Sequence, residues 1–320
     1  MSEVSSQKPS SHTDLPGLGQ RVSILGVPLG FGQSMAGVDL GPSAIRVAGL
    51  ADRISQLGYD VLDLDDLEIE RPRSRPKPGE KLKYLAEIHD ACERLAAAVE
   101  GIVEAGVRPI TIGGDHSIAI GSIAGVVRSF RRRKEDLGLI YFDAHADMNT
   151  TETTPSGNIH GMPLAALLGY GAPELVNVGG FAPKLDPKKC AHVGARDLDP
   201  GERELIRKLG MRFFTMREID ERGLNICMDE AIAIARQGSA GYCVTFDVDA
   251  LDPRDAPGSG TLVRGGLSYR EAHLAMEKIA EAGGMRSLEV VEINTALDVN
   301  NRTAELGVEL ILSALGKTIL

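Results

Sequence analysis

From about residue 20 to the C-terminus, short apolar runs alternate with longer stretches of helical apolar spacing. Residues 21–28, 59–64, 108–113, 139–142, 192–196, 212–215, 242–246 and 287–293 read as strands. Residues 43–57, 81–105, 117–130, 163–168, 202–209, 225–236, 268–283 and 302–315 carry the 3.6-residue period of helices. A turn is expected at 37–42, a Pro/Arg/Lys-rich surface loop at 70–80 and a long polar loop at 149–161. Most of the strands are continuous apolar runs rather than alternating ones. Such strands, interleaved with helices, predict an α/β fold in which a mostly parallel sheet is covered on both faces. No Gly/Ser or Pro linker and no repeat divides the chain after residue 20, so residues 20–320 read as one domain. Residues 1–19 are Ser/Pro-rich and polar and read as a disordered tail.

In sheets of this kind ligands gather beyond the carboxyl ends of the strands. Three strand ends here carry metal-binding chemistry. The run 137–142 leads into Asp143-Ala-His145-Ala-Asp147, the run 242–246 into Asp247-Val-Asp249, and the run 107–112 into Gly113-Gly114-Asp115-His116-Ser117. Asp143, His145 and Asp147 share one face if the chain stays extended. Carboxylate oxygen with imidazole nitrogen suits Mn, Fe, Co, Ni or Zn. Four carboxylates brought together without cations would raise one another's pKa values; two divalent ions would balance their charge. Taken alone, Asp247-Val-Asp249 also reads as a solvated turn, and Asp252-Pro253 as plain turn chemistry. Ser117 is placed to cap the helix that follows, leaving His116 to project toward the strand ends. His160, in the polar loop, reads either as an exposed imidazole or as a proton shuttle. Glu292, in a strand otherwise apolar, needs a partner: a metal, an Arg, a cationic substrate or a backbone amide.

Composition narrows the partners. The chain has 320 residues, a net charge of −10, 4% aromatics and no Trp, so neither phosphate backbones nor nucleobases find a matching surface. The basic run 131–134 is followed at once by Glu135 and Asp136 and reads as a solvated loop. No apolar stretch is long enough to span a membrane, and the N-terminus lacks a secretory apolar region. Cys92, Cys190, Cys227 and Cys243 lie far apart, which fits buried, reduced thiols in a cytoplasmic protein.

Together Gly113-Gly-Asp-His-Ser117, Asp143-Ala-His-Ala-Asp147, Ser156-Gly-Asn-Ile-His-Gly161 and Phe246-Asp-Val-Asp-Ala-Leu-Asp-Pro253, with Glu292-Ile-Asn294, resemble the signature motifs of the ureohydrolases. The match runs from about Ser23 to the C-terminus, in order and at the family's spacing. Segments 37–46, 196–202 and 265–271 resemble the arginase branch in particular. The resemblance implies a three-layer α/β/α sandwich around an eight-stranded sheet and two Mn²⁺ per chain. One ion would be held by His116, Asp143, Asp147 and Asp247, the other by His145, Asp143, Asp247 and Asp249. Asn149, Thr154 and Ser156 would surround a substrate α-carboxylate, Asp199 and Glu202 would meet its α-amino group, and Thr261, in the loop beside Glu292, would be a further substrate-binding residue. A homotrimer or homohexamer is implied too. Met35 departs from the family where relatives often carry a basic residue. Leu262 stands where they usually have Pro, and is expected to loosen the loop at Thr261.

The expected activity is hydrolysis of a C–N bond in a linear amidine, a step of arginine metabolism and the urea cycle. A metal-bridging hydroxide would attack the guanidinium carbon of L-arginine, giving L-ornithine and urea. Asp147 would carry the proton to the leaving amine, His160 would exchange it with solvent and Glu292 would orient the guanidinium. Rival readings are another ureohydrolase (agmatinase, guanidinobutyrase or formimidoylglutamase), a non-catalytic metal-binding regulatory subunit and, more weakly, a Mn-dependent phosphoesterase, for which no basic phosphate clamp is evident.

Overall fold

A computed structural model describes residues 20–76 and 79–318, so the 1–19 tail lies outside the described residues. Eight strands form the sheet: β1 (Arg21–Val27), β2 (Asp60–Asp66), β3 (Arg108–Gly113), β4 (Gly138–Phe142), β5 (Cys190–Ala195), β6 (Arg212–Thr215), β7 (Tyr242–Asp247) and β8 (Met285–Val291). Their order is β2-β1-β3-β8-β7-β4-β5-β6, and every pairing is parallel.

The period of two along each strand sorts side chains between two cores. Ile24, Ile110, Ile112, Ile140, Phe142, Val244, Phe246 and Val290 enter one core, and Leu25, Leu139, Tyr141, Cys243 and Val291 the other. Helices Gly41–Val47, Leu50–Gln56, Leu224–Arg236, Tyr269–Ala282 and Arg302–Ala314 cover the first. Helices Leu85–Glu104, Ala119–Arg132 and Pro163–Leu167 cover the second. The result is a three-layer α/β/α sandwich. All four cysteines are buried free thiols.

Local differences from the sequence reading have local causes. The single helix expected over 43–57 is two, broken at Gly49, whose φ of 81° is left-handed. The helix Met216–Arg222, only seven residues long, is too short for its period to stand out in the sequence. The basic run at 131–134 is not wholly a loop. Arg131 and Arg132 finish the helix Ala119–Arg132, and Arg132 pairs with Glu100 and Glu104 of the neighbouring helix.

The central strands β3, β8, β7 and β4 are adjacent. Their carboxyl ends deliver residues 113–117, 292, 247–249 and 143–147 to one place. β3 leads into His116 and the helix Ala119–Arg132, which approaches the helix Leu85–Glu104 closely through two glycines. A Cβ on Gly121 would lie 2.5 Å from the Cys92 carbonyl oxygen, and one on Gly125 would overlap that of Ala96. Because both obstacles are backbone, Gly125→Val should lower stability by about 1–3 kcal/mol or more. Urea denaturation tests this, and an unchanged midpoint would contradict the close helix approach.

Candidate metal centre

The turn after β3 depends on Gly114. A Cβ there would overlap the Leu29 carbonyl, while its N–H donates to Val27 O at 2.8 Å. Asp115, not Ser117, is the cap of the short helical turn that follows. Its carboxylate accepts from Ser117 N at 3.1 Å and from Gly32 N at 2.8 Å. His116 is thereby aimed into the strand ends at 1% exposure. Its Nδ1 lies 3.1 Å from Asp143, 3.1 Å from Asp147 and 3.3 Å from Asp247.

Asp143, His145 and Asp147 do converge, but not by strand alternation. The chain leaves the extended form after Phe142. His145 N donates back to Asp143 Oδ1 at 2.7 Å, and Asp147 takes a left-handed φ of 53°. Such a backbone is uncommon for a residue with a Cβ, and it is held here by Tyr141, whose hydroxyl donates to Asp147 Oδ2 at 2.6 Å. Asp247 closes β7 and accepts from Asp249 N at 2.8 Å, folding the chain back so that both carboxylates face the site. Asp252 is structural, as its turn chemistry suggested: it accepts from Arg254 and from Gly265 N. Two donor sets result, His116 with Asp143 and Asp247, and Asp143 with His145 and Asp249. Asp143 belongs to both; Asp247 groups with the first set alone.

The donor set fits divalent cations. Burial, then Asp147 and Asp249, push Asp143 up to about 7. Burial with Asp249 and Asp143 lifts Asp247 well above the carboxylate range. Burial also acts to raise Asp147, but bonds from His116 and Tyr141 hold it low. Burial opposes charge on His116 and His145, yet the surrounding carboxylates push both up. Without cations the acids hold protons or borrow charge from the histidines.

A cavity of about 150 Å³ opens above this cluster, lined by His145, Asp147, Asn149, Thr154, Ser156, His160, Asp199, Glu202 and Thr261 among others. Asn149 Nδ2 donates to Asp199 Oδ2 at 2.9 Å. Asp199 and Glu202 form the capping box of the helix Pro200–Leu209. Both Glu202 oxygens accept backbone N–H groups, from Asp199 at 2.8 Å and Met148 at 3.0 Å, and burial pushes its carboxyl up to about 7.

His160 reaches the cavity with Nδ1 3.0 Å from Glu292 Oε1. Burial would lower its pKa, but Glu292 overcomes this and lifts it to about 9. Glu292 is not inside the strand: it follows β8 with φ 66° and is fully enclosed. Its partners are His160, the His116 N–H at 2.9 Å and Gln33 Nε2 at 2.7 Å.

Leu262 is 41% exposed, and the loop beside it stays tied, since Thr261 Oγ1 donates to Asp249 Oδ2 at 2.8 Å.

Sequence reasoning passed over several groups. Asp197 and Asn158 line the cavity; Asp197 lies two residues past the end of β5, so the strand-end rule could have found it. Gln33 had no signal, being 259 positions from Glu292. Arg196 opens the arginase-like segment 196–202, but nothing local shows its partners: its guanidinium donates to the carbonyls of Gly194, Asp249, Ala250, Leu251 and Val263 and so staples the Asp249 loop.

A cation must displace the protons held in the metal-free cluster. A group raised to about 7 holds its proton below that pH and loses it above. Mn²⁺ affinity should therefore rise from pH 6 to pH 8, with net proton release in calorimetry run in two buffers of different ionisation enthalpy. A flat affinity with no proton release would contradict this electrostatic picture.

Comparison with known proteins agrees with this geometry. The arginase family model matches residues 20–316. The arginase of Bacillus caldovelox is 48% identical over 300 residues, covering 93% of this chain and 99% of that one. Its native structure superposes with a TM-score of 0.90, covering 94% of this chain and 99% of that one. The arginase of Bacillus cereus is also 48% identical, with a TM-score of 0.88 over 94% of this chain and 99% of that one. The arginase of Entamoeba histolytica in complex with L-ornithine is 30% identical, with a TM-score of 0.86 over 94% of this chain and all of that one. The fold, the clustered Asp and His donors and these likenesses lead to one conclusion: the chain belongs to the arginase family of hydrolases.

Proposed function

We propose that this chain is a manganese enzyme that hydrolyses L-arginine to L-ornithine and urea. The observation that carries the reading is the Asp143 carboxylate shared between two Asp/His donor sets at the base of a polar cavity. Two Mn²⁺ ions suit these donors: one would be held by His116, Asp143, Asp147 and Asp247, the other by His145, Asp143 and Asp249, with Asp247 reaching over from the first set. When bound, such a pair makes a strong nucleophile of water at neutral pH by lowering its pKa from about 15.7 toward about 7.

The chain's own groups do the rest. Asp147, fixed by Tyr141 and facing the cavity, takes a proton from the attacking water and gives it to the departing amine of ornithine. His160, partly exposed and held by Glu292, passes protons between that amine and solvent. Glu292 lies behind His160 and orients the cationic guanidinium by its charge, from a fully enclosed position. At the outer end Asn149, Thr154 and Ser156 supply polar groups for the α-carboxylate. Asp199 receives the α-ammonium, and Glu202, with both oxygens on backbone N–H groups, holds Asp199 and Met148 in place. Thr261 steadies Asp249. The Entamoeba relative's complex with L-ornithine supports this choice of product.

The same reading treats residues 20–320 as one domain, working in the cytoplasm as a homotrimer or homohexamer without nucleic acid or membrane partners. No helix among the described residues is long and apolar enough to cross a membrane.

Mn²⁺-loaded protein assayed for urea with arginine, agmatine, guanidinobutyrate and formimidoylglutamate should prefer arginine. A faster rate with agmatine, which keeps the terminal ammonium but lacks the α-carboxylate, would sink the assignment of Asn149, Thr154 and Ser156 to that carboxylate. His160→Asn should keep both metal ions and lower turnover by about 10²-fold, the scale of acid–base assistance. Full turnover in that variant would remove His160 from the proton path.

A further inference from the structure

One rung of the sheet crosses six strands beneath the carboxylates. Thr111 pairs with Glu289, Glu289 with Thr245, Thr245 with Tyr141, Tyr141 with His192 and His192 with Phe213. The aromatic part of the rung backs His116. The rings of His116, Tyr141, His192 and Phe213 follow one another at centroid separations of 4.7, 5.5 and 4.4 Å, each stacked on the next. The stack fixes the plane of the His116 ring but not which of its nitrogens carries hydrogen.

Glu289 stands out in this rung. It is an acid 3% exposed in the middle of the sheet, used by none of the steps above, and its partners are two hydroxyls. Ser122 Oγ donates to one of its oxygens and Thr245 Oγ1 to the other, the latter at 2.7 Å. Thr245 Oγ1 in turn lies 2.9 Å from His116 Nε2. A hydroxyl has one hydrogen to give. Thr245 gives its hydrogen to Glu289, so its oxygen can only accept from His116, and Nε2 must be the donor. A neutral imidazole with hydrogen on Nε2 carries its lone pair on Nδ1, and Nδ1 is the atom facing Asp143, Asp147 and Asp247.

We infer that Glu289 and Thr245 are positioning residues that keep the His116 hydrogen on Nε2 and so present the Nδ1 lone pair to a cation. The inference rests on His116 being a metal ligand and goes beyond it, by assigning a purpose to a buried acid one residue removed from the site. Partners of this kind typically contribute about 10–100-fold in metal affinity.

Thr245→Val keeps the side-chain shape and removes the hydroxyl, whereas Thr245→Ser keeps the hydroxyl and removes the methyl. Metal-free protein would be titrated with Mn²⁺ alone, the free ion being counted by its six-line electron paramagnetic resonance signal. Native protein and Thr245→Ser should each take up two ions with similar affinities. Thr245→Val should keep one ion at native affinity and bind the other about 10–100-fold more weakly. Native affinity for both ions in Thr245→Val, or an equal loss in Thr245→Ser, would overturn the relay. His116→Asn separates the two layers of the argument, because native uptake of both ions in that variant would refute the ligand assignment itself. The readout is independent of which guanidino compound the enzyme cleaves.

Discussion

Asp143, Asp147, Asp247 and Asp249 are each at most 5% exposed, and they meet at the ends of adjacent strands in the middle of the sheet. Two like charges about 4 Å apart repel by about 4 kcal/mol at an effective dielectric of about 20. A handful of such pairs equals the whole net stability of a typical domain, about 5–15 kcal/mol. The protein therefore carries at its centre a charge problem that packing cannot solve. Protonation relieves it partly, by lifting Asp143 and Asp247, and the two histidines relieve it further. Divalent cations relieve it without forfeiting a ligand, and that makes the site a metal centre rather than an acidic strand end.

The rest of the structure is arranged to hold those four acids in place. The backbone folds back on itself at Asp143 and at Asp247 through N–H bonds to their own carboxylates. Arg196 binds carbonyls on both sides of the Asp249 loop, and the left-handed residues Asp147 and Glu292 are each fixed by side-chain partners. Below, the Gly121 and Gly125 contacts seat the helix that continues from His116. Each support is a short-range fit between elements distant in sequence, so the geometry exists only once the sheet is complete.

How much of this is legible in the sequence follows from the range of each cause. Apolar runs between helical periods announce a parallel sheet because burial on both faces leaves no alternation to see. The clusters at 143–147, 247–249 and 113–117 are legible because a strand end is a local event. The route by which they converge is not: alternation places Asp143, His145 and Asp147 on one face, whereas the chain turns and Asp147 goes left-handed. The capping role passes from Ser117 to Asp115 for a similar reason, since Asp115 also satisfies the Gly32 N–H, far away in sequence. Gln33, Arg196 and Glu289 give no local sign of what they touch. Their partners are chosen by strand order and loop docking, which no local pattern encodes. The capping box of Asp199 and Glu202 is legible as Asp-Pro-Gly-Glu before a helix, whereas the hold of Glu202 on Met148 N is not, because it joins segments 54 residues apart.

The central claim is that the shared Asp143 carboxylate lies between two cations. Anomalous diffraction from crystals grown with Mn²⁺, recorded at the manganese edge, tests it directly. The account predicts two peaks flanking Asp143, one on the His116 side and one on the His145 side. A single peak, or peaks that leave Asp143 untouched, would contradict it.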